Sequence, residues 1–98
     1  MKYLTLSADY EEPRLRDDAV DDRSGLWEEI SSALRADIVC WNGAYQAVIQ
    51  MDAAQRVEAA DLIGELDARG LRLAACVAAE LSHAKVRYYS EGLLTPLL

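Results

Sequence analysis

Four aspartates lie within six residues of one another: Asp17, Asp18, Asp21 and Asp22. Clustered carboxylates suit hard cations such as Ca²⁺ or Mg²⁺. On a helix, Asp17/Asp21 and Asp18/Asp22 would each lie one turn apart. The EF-hand spacing is missing, however, with neither its central glycine nor its terminal glutamate in register. A solvated acidic loop is therefore the first reading, a surface that docks a basic partner the second, and a metal site the last. No metal or cofactor is expected.

The remaining chemistry is sparse. His83 is the single histidine, and no nucleophile or orienting carboxylate accompanies it in a local motif, so no catalytic group is assigned. Its expected role is that of a helix C-terminal residue favoured by the dipole. Cys40 and Cys76 are too few for a disulfide framework or a zinc site and read as reduced thiols packed as small apolar side chains. Arg87, Tyr88, Tyr89 and Tyr10 belong to the types enriched at interface centres. Alternation along a strand would turn one of the two adjacent tyrosines inward. Trp27, Trp41 and Tyr45 fall in phase with aliphatic residues and read as core ahead of a ligand box.

These residues need a scaffold, and its main beam is the stretch from Asp52 to Leu81. Ile63, Leu66, Leu73, Val77 and Leu81 recur at helical spacing, with Ala59 and Gly70 at the two small positions. Glu58, Asp61, Glu65, Arg69 and Arg72 fall opposite. Asp52 and Gln55 form a capping box. Gly70 invites a Schellman stop with Leu71 packed back on Leu66. The stripe nevertheless runs on in phase, so one helix over 52–82 is preferred, with Gly70 admitting the facing helix. A second stripe of Trp27, Ile30, Leu34, Ile38, Trp41, Tyr45 and Val48 predicts a helix over 24–50 with Ser24 as its N-cap. Asn42-Gly43 is a competing hairpin signal, but the stripe passes through it unbroken. The short connection makes the two helices antiparallel neighbours.

Residues 2–7 alternate as a strand, and so do residues 84–90. Their simplest pairing is antiparallel. Between the first strand and the first helix, residues 9–23 read as an acidic loop, broken by Pro13 and tacked down by Leu15 and Val20. Residues 93–98 form an apolar tail that is either frayed or buried in a partner. The expected fold is α+β: two long antiparallel helices on a two-stranded sheet, in a single domain over 1–98.

The 98 residues carry ten Lys and Arg against seventeen Asp and Glu, a net charge of −7. Such a chain repels phosphate backbones and anionic membranes, so direct contact with nucleic acid or membrane is not expected. No apolar run reaches the length of a signal peptide or a membrane span, which makes a cytoplasmic protein the default. A basic protein partner is favoured instead. The expected function is a small acidic protein–protein interaction module, not an enzyme. A bacterial immunity protein or antitoxin that neutralises a basic, nuclease-like toxin fits in size and charge. The partner-binding residues expected for it are Asp9, Tyr10, Glu11, Glu12, Asp17, Asp18, Asp21, Asp22, Arg87 and Tyr89. The alternative is a structural or regulatory homo-oligomer, such as a homodimer, in which the helix stripes and the tail are the subunit interface. A small-molecule or metal-binding domain is the weakest of the three readings.

Overall fold

The computed structural model describes residues 2–17, 26–82 and 84–98. Ser24, Asp18, Asp21, Asp22 and His83 lie outside them. The described elements run β1 (Lys2–Ser7), β2 (Arg14–Asp17), α1 (Leu26–Glu29), α2 (Ser32–Ile49), α3 (Ala53–Glu58), α4 (Ala60–Glu80), β3 (Ala84–Ser90) and β4 (Thr95–Pro96). The architecture is mixed α+β, with helices against one sheet. The sheet has four strands in the order β2-β1-β3-β4, not the expected two.

Two errors of expectation share one cause. Part of the expected acidic loop is β2, which pairs antiparallel with β1 and sets Leu15 opposite Leu6. Leu15 is 2% exposed, so this one aliphatic commits the segment to the core. β2 also returns the chain to the end where β1 began. The helical hairpin starts from that end and comes back to it. β3 therefore runs parallel to β1, not antiparallel, with Leu4 opposite Val86 and Leu6 opposite Tyr88. The tail is not simply frayed: Thr95 and Pro96 pair with Ser90 and Tyr89 as a short edge strand.

The helical stripes are correct and their boundaries are not. Ile30, Leu34, Ile38, Trp41, Tyr45 and Val48 are all buried, but the helix expected over 24–50 is interrupted at Ile30 and Ser31. Ser31 is the N-cap of α2, and its Oγ accepts from the Leu34 N–H at 3.2 Å. Glu80 accepts from the Ser31 N–H at 2.6 Å and from its hydroxyl at 2.8 Å, which ties the start of α2 to the end of α4. Arg35 donates back to the carbonyls of Trp27 and Ile30, closing the end of α1. A carbonyl end satisfied in this way can stop within four residues. The Asn42-Gly43 pair lies inside an unbroken α2.

The helix expected over 52–82 divides at Ala59. The capping box of Asp52 and Gln55 is present and starts α3, and α4 then runs without interruption through Gly70. The bare backbone at Gly70 faces the ring of Tyr88 on β3 rather than the facing helix, and a methyl there would overlap that ring. Ile63, Leu66, Asp67, Gly70, Ala74 and Val77 form the buried face, while Leu73 and Leu81 are only half-buried.

The core sits between the helices and the inward face of the sheet. Leu4, Leu6, Leu15, Val86 and Tyr88 come from the strands. Trp41 and Tyr45 of α2 meet edge to face at 5.7 Å, and the indole N–H of Trp41 donates to the Leu66 carbonyl at 2.9 Å. Each such ring contributes on the order of 2–3 kcal/mol by burial, and the N–H bond removes the penalty of a stranded donor. These aromatics are core and do not line a ligand box. Cys40 and Cys76 are free but exposed, which corrects the expectation that they pack inside. Among the described residues, no helix is long and apolar enough to cross a membrane.

Candidate binding surfaces

The expected partner-binding residues separate into two places. Asp9, Tyr10, Glu11 and Glu12 form the connection between β1 and β2. Arg87 and Tyr89 face outward on β3. Asp17 closes β2, opposite Leu4, and so belongs to a strand rather than to a loop. Asp18, Asp21 and Asp22 lie outside the described residues. Among the described residues, no group of three His, Cys, Asp or Glu side chains could hold a metal ion.

The connection after β1 is short and held. The Asp9 N–H donates to Oδ1 of Asn42 at 2.9 Å. Gln46 donates to the Asp9 carbonyl at 2.8 Å and accepts from the Glu11 N–H at 3.2 Å. Two amide side chains on successive turns of α2 thus clamp the loop backbone, a placement that i, i+4 spacing allows. Glu11 has φ of 67°, in the left-handed region that costs a residue with a Cβ roughly 1–2 kcal/mol. Such strain persists only where the surroundings enforce it. Tyr10 projects from this turn with 62% of its surface exposed, and Glu11 and Glu12 are exposed beside it.

Electrostatics at this end are mixed. Arg14 bridges Asp9 at 2.9 Å, a half-exposed pair that orients more than it stabilises. Glu91 lies nearby in the turn after β3. Burial first, and then the Asp9 charge, raise its pKa, against the lowering effect of Arg56 and Arg14. Arg56 also donates to the Glu91 carbonyl at 2.6 Å, fixing that turn to α3.

The second place is the outward face of the sheet. Thr5 is paired with Arg16 on one side and Arg87 on the other. Ser7, two residues on, is paired with Arg14 and Tyr89. The Arg87 guanidinium lies 5.9 Å from the centre of the Tyr3 ring, within cation–π range. A cleft of about 250 Å³ opens here, with Thr5, Ser7 and the three arginines in its lining. Sequence reasoning named Arg87 and Tyr89 but missed Arg14 and Arg16. Their signal is the alternation Arg14-Leu15-Arg16, too short beside Pro13 to stand out from a loop.

Behind the same strand lies a polar cluster that sequence reasoning did not find. Asp67 is 4% exposed. Its Oδ1 accepts from the hydroxyls of Tyr45 at 2.8 Å and Tyr88 at 2.6 Å, and its Oδ2 accepts from Ser90 at 2.7 Å. The Tyr45 oxygen in turn accepts from the Gly92 N–H at 2.8 Å, and the Ser90 oxygen accepts from the Leu93 N–H at 3.0 Å. Burial raises the Tyr45 hydroxyl to about 12, helped by its bond to Asp67. Tyr88 is pushed up further, first by burial and then by Asp67. Gly92 packs against Ile63 and the Tyr45 hydroxyl so closely that a Cβ would meet both at under 3 Å. The cluster fastens the turn after β3 to α2 and α4, and its donors and acceptors are engaged with one another.

Comparison of the chain with known protein families, curated proteins and solved structures finds no match.

Proposed function

We propose that the chain is a protein-binding module that neutralises a basic partner, in the manner of an immunity protein or antitoxin acting on a nuclease-like toxin. The observation that carries this reading is the clamped acidic turn. Asn42 and Gln46 hold the backbone of residues 9–11, so Tyr10, Glu11 and Glu12 are presented in a set conformation. A loop ordered before association does not lose that conformational entropy on binding. Tyr10 supplies a rigid aromatic anchor and the carboxylates supply steering toward a cationic surface. The net charge of −7 acts in the same direction at longer range.

The test is to capture a basic protein on the purified chain from a lysate of its own source, identify it, and follow association of the two purified proteins across a salt series. The on-rate is expected to fall by about tenfold or more between low and physiological salt. Glu11→Gln with Glu12→Gln should slow association, and Tyr10→Ala should speed dissociation. An on-rate unchanged by both carboxylate substitutions would remove the acidic-loop reading.

A second reading, a homodimer, is supported by a separate observation. Leu93, Leu94, Leu97 and Leu98 are 39 to 68% exposed around the edge strand β4. Exposed apolar residues grouped in this way favour burial against a partner surface. Light scattering should then give twice the chain mass, and deleting residues 93–98 should return it to the monomer value.

A further inference from the structure

A groove of about 240 Å³ between α2 and α4 holds both cysteines. Asp37 and Cys40 line it from α2, and Arg69, Arg72, Leu73 and Cys76 line it from α4. Both thiols are free and exposed. Hydrogen bonds from Ser31 to Glu80 and from Tyr45 to Asp67 set the antiparallel register of the two helices. In that register Cys40 comes between the levels of Arg69 and Arg72, whereas Cys76 comes opposite Arg35. The Arg35 guanidinium is committed to the carbonyls of Trp27 and Ile30, so the charge that α2 brings to the Cys76 end is Asp37. Among the described residues, neither the Arg69 nor the Arg72 side chain has a hydrogen bond or an ion pair.

The two thiols cannot close on each other. Their levels differ by about four to five residues, or roughly 6–7 Å along the helix axis. Packed axes lie about 8–10 Å apart, which puts the two Cα atoms roughly 10 Å from each other or more. A disulfide spans no more than about 7 Å. Each sulfur is therefore open to a partner from solution. We propose that Cys40 is a modification site, which forms a mixed disulfide with a small carboxylate-bearing thiol of the glutathione class, the carboxylate resting on Arg69 and Arg72. The Cys40 sulfur attacks one sulfur of the oxidised small thiol, and a new S–S bond forms as the old one breaks. The departing half leaves as a thiolate and takes up the proton that Cys40 gave up. Cys40 is oxidised and the departing half is reduced, so the disulfide itself is the oxidant. The arginines raise the local concentration of an anionic disulfide, and a guanidinium fork matches a carboxylate. Cys76 shares Arg72, one turn away on α4, but faces Asp37 and lies farther from Arg69. The groove contains no residue of the acidic turn or of the tail, so the proposal stands apart from both readings above.

The test uses Cys76→Ser and Cys40→Ser, each of which keeps one thiol, with oxidised glutathione as the probe and intact mass as the readout. At low salt the chain that keeps Cys40 should react roughly five- to tenfold faster than the chain that keeps Cys76. The ratio of the two rates cancels the leaving group. It should fall toward one with neutral hydroxyethyl disulfide, with added salt, and when Arg69→Gln and Arg72→Gln are placed in both chains. Circular dichroism should show every variant folded. Equal rates with oxidised glutathione would overturn the proposal. So would the same ratio with the neutral disulfide, a ratio that survives loss of both arginines, or a wild-type chain that loses two hydrogens to an internal disulfide instead of gaining the small thiol.

Discussion

Neighbouring residues of β3 live in two different solvents. Tyr88 and Ser90 point inward and give their hydroxyl protons to Asp67. Arg87 and Tyr89 point outward and line the cleft over the sheet. Inside, each polar group is held by another polar group, because a stranded one would cost about 1–3 kcal/mol. Outside, water satisfies whatever the protein does not, and groups can be arranged for a ligand. The inward cluster is therefore expected to control stability, and the outward one to control binding with little effect on stability.

The largest effect should come from Asp67→Ala. It strands the Tyr45, Tyr88 and Ser90 hydroxyls and opens a void beside them, at about 3–5 kcal/mol. In a domain of this size that lowers the melting temperature by roughly 12–40 °C, or leaves the chain unfolded. Calorimetry on wild type and variant decides it. A loss below about 1 kcal/mol would mean that the cluster is not holding the core.

Gly70→Ala comes next. Alanine favours a helix by about 1 kcal/mol over glycine, but the methyl would overlap the Tyr88 ring, whose hydroxyl is tethered to Asp67. Overpacking against a tethered ring should win, with a net loss of about 1–2 kcal/mol in urea unfolding. A stabilised variant would show that the ring moves freely.

Tyr88→Phe and Tyr89→Phe set the two faces against each other on adjacent residues. The first should cost about 1–2 kcal/mol, the second under about 0.5 kcal/mol. Alkaline pH sharpens the contrast. Tyrosines of the unfolded chain ionise near ~10, while Tyr45 is raised to about 12 by burial and Tyr88 is raised further. Above pH ~10 the unfolded state sheds protons that the folded state keeps, so stability falls as pH rises. Tyr88→Phe should flatten that fall and Tyr89→Phe should not, as urea midpoints measured at mildly and strongly alkaline pH would reveal.

The smallest effect concerns the rim. Burial and Asp9 raise the pKa of Glu91. The folded state then holds its proton to higher pH than the unfolded state does, so this group favours folding at low pH and opposes it once pH has risen through the folded value. Glu91→Gln should stabilise by a few tenths of a kcal/mol at neutral pH, a figure reduced by its partial exposure. The gain should disappear below pH ~4, where the carboxyl is protonated in both states.

How much of this could be read in advance differs by residue. The stripes from Ile30 to Val48 and from Ile63 to Val77 were legible, because apolar spacing of three and four is a local property. The break at Ser31 was not, because it depends on Glu80 and Arg35 supplying partners across the fold. Arg14, Leu15 and Arg16 alternate like a strand, but four residues beside Pro13 give a weak signal, and their strand state rests on pairing with β1. Asp67 looked like one more polar residue on a charged helix. Only three hydroxyls arriving from α2 and β3 make it part of the core.

The sequence alone determined which faces of its helices and strands would be greasy, where α3 would be capped, and that the chain would be acidic overall. Those properties come from the order of side chains along a few turns or a few pleats. Tertiary structure decided the direction of β3, the four-strand width of the sheet, the clamping of the turn at Glu11 and the gathering of Arg14, Arg16 and Arg87 around one cleft. Each of these joins residues distant in sequence or on separate strands. Contacts of that kind exist only after the chain has closed on itself, when burial of residues such as Leu15 outweighs the entropy of bringing the segments together.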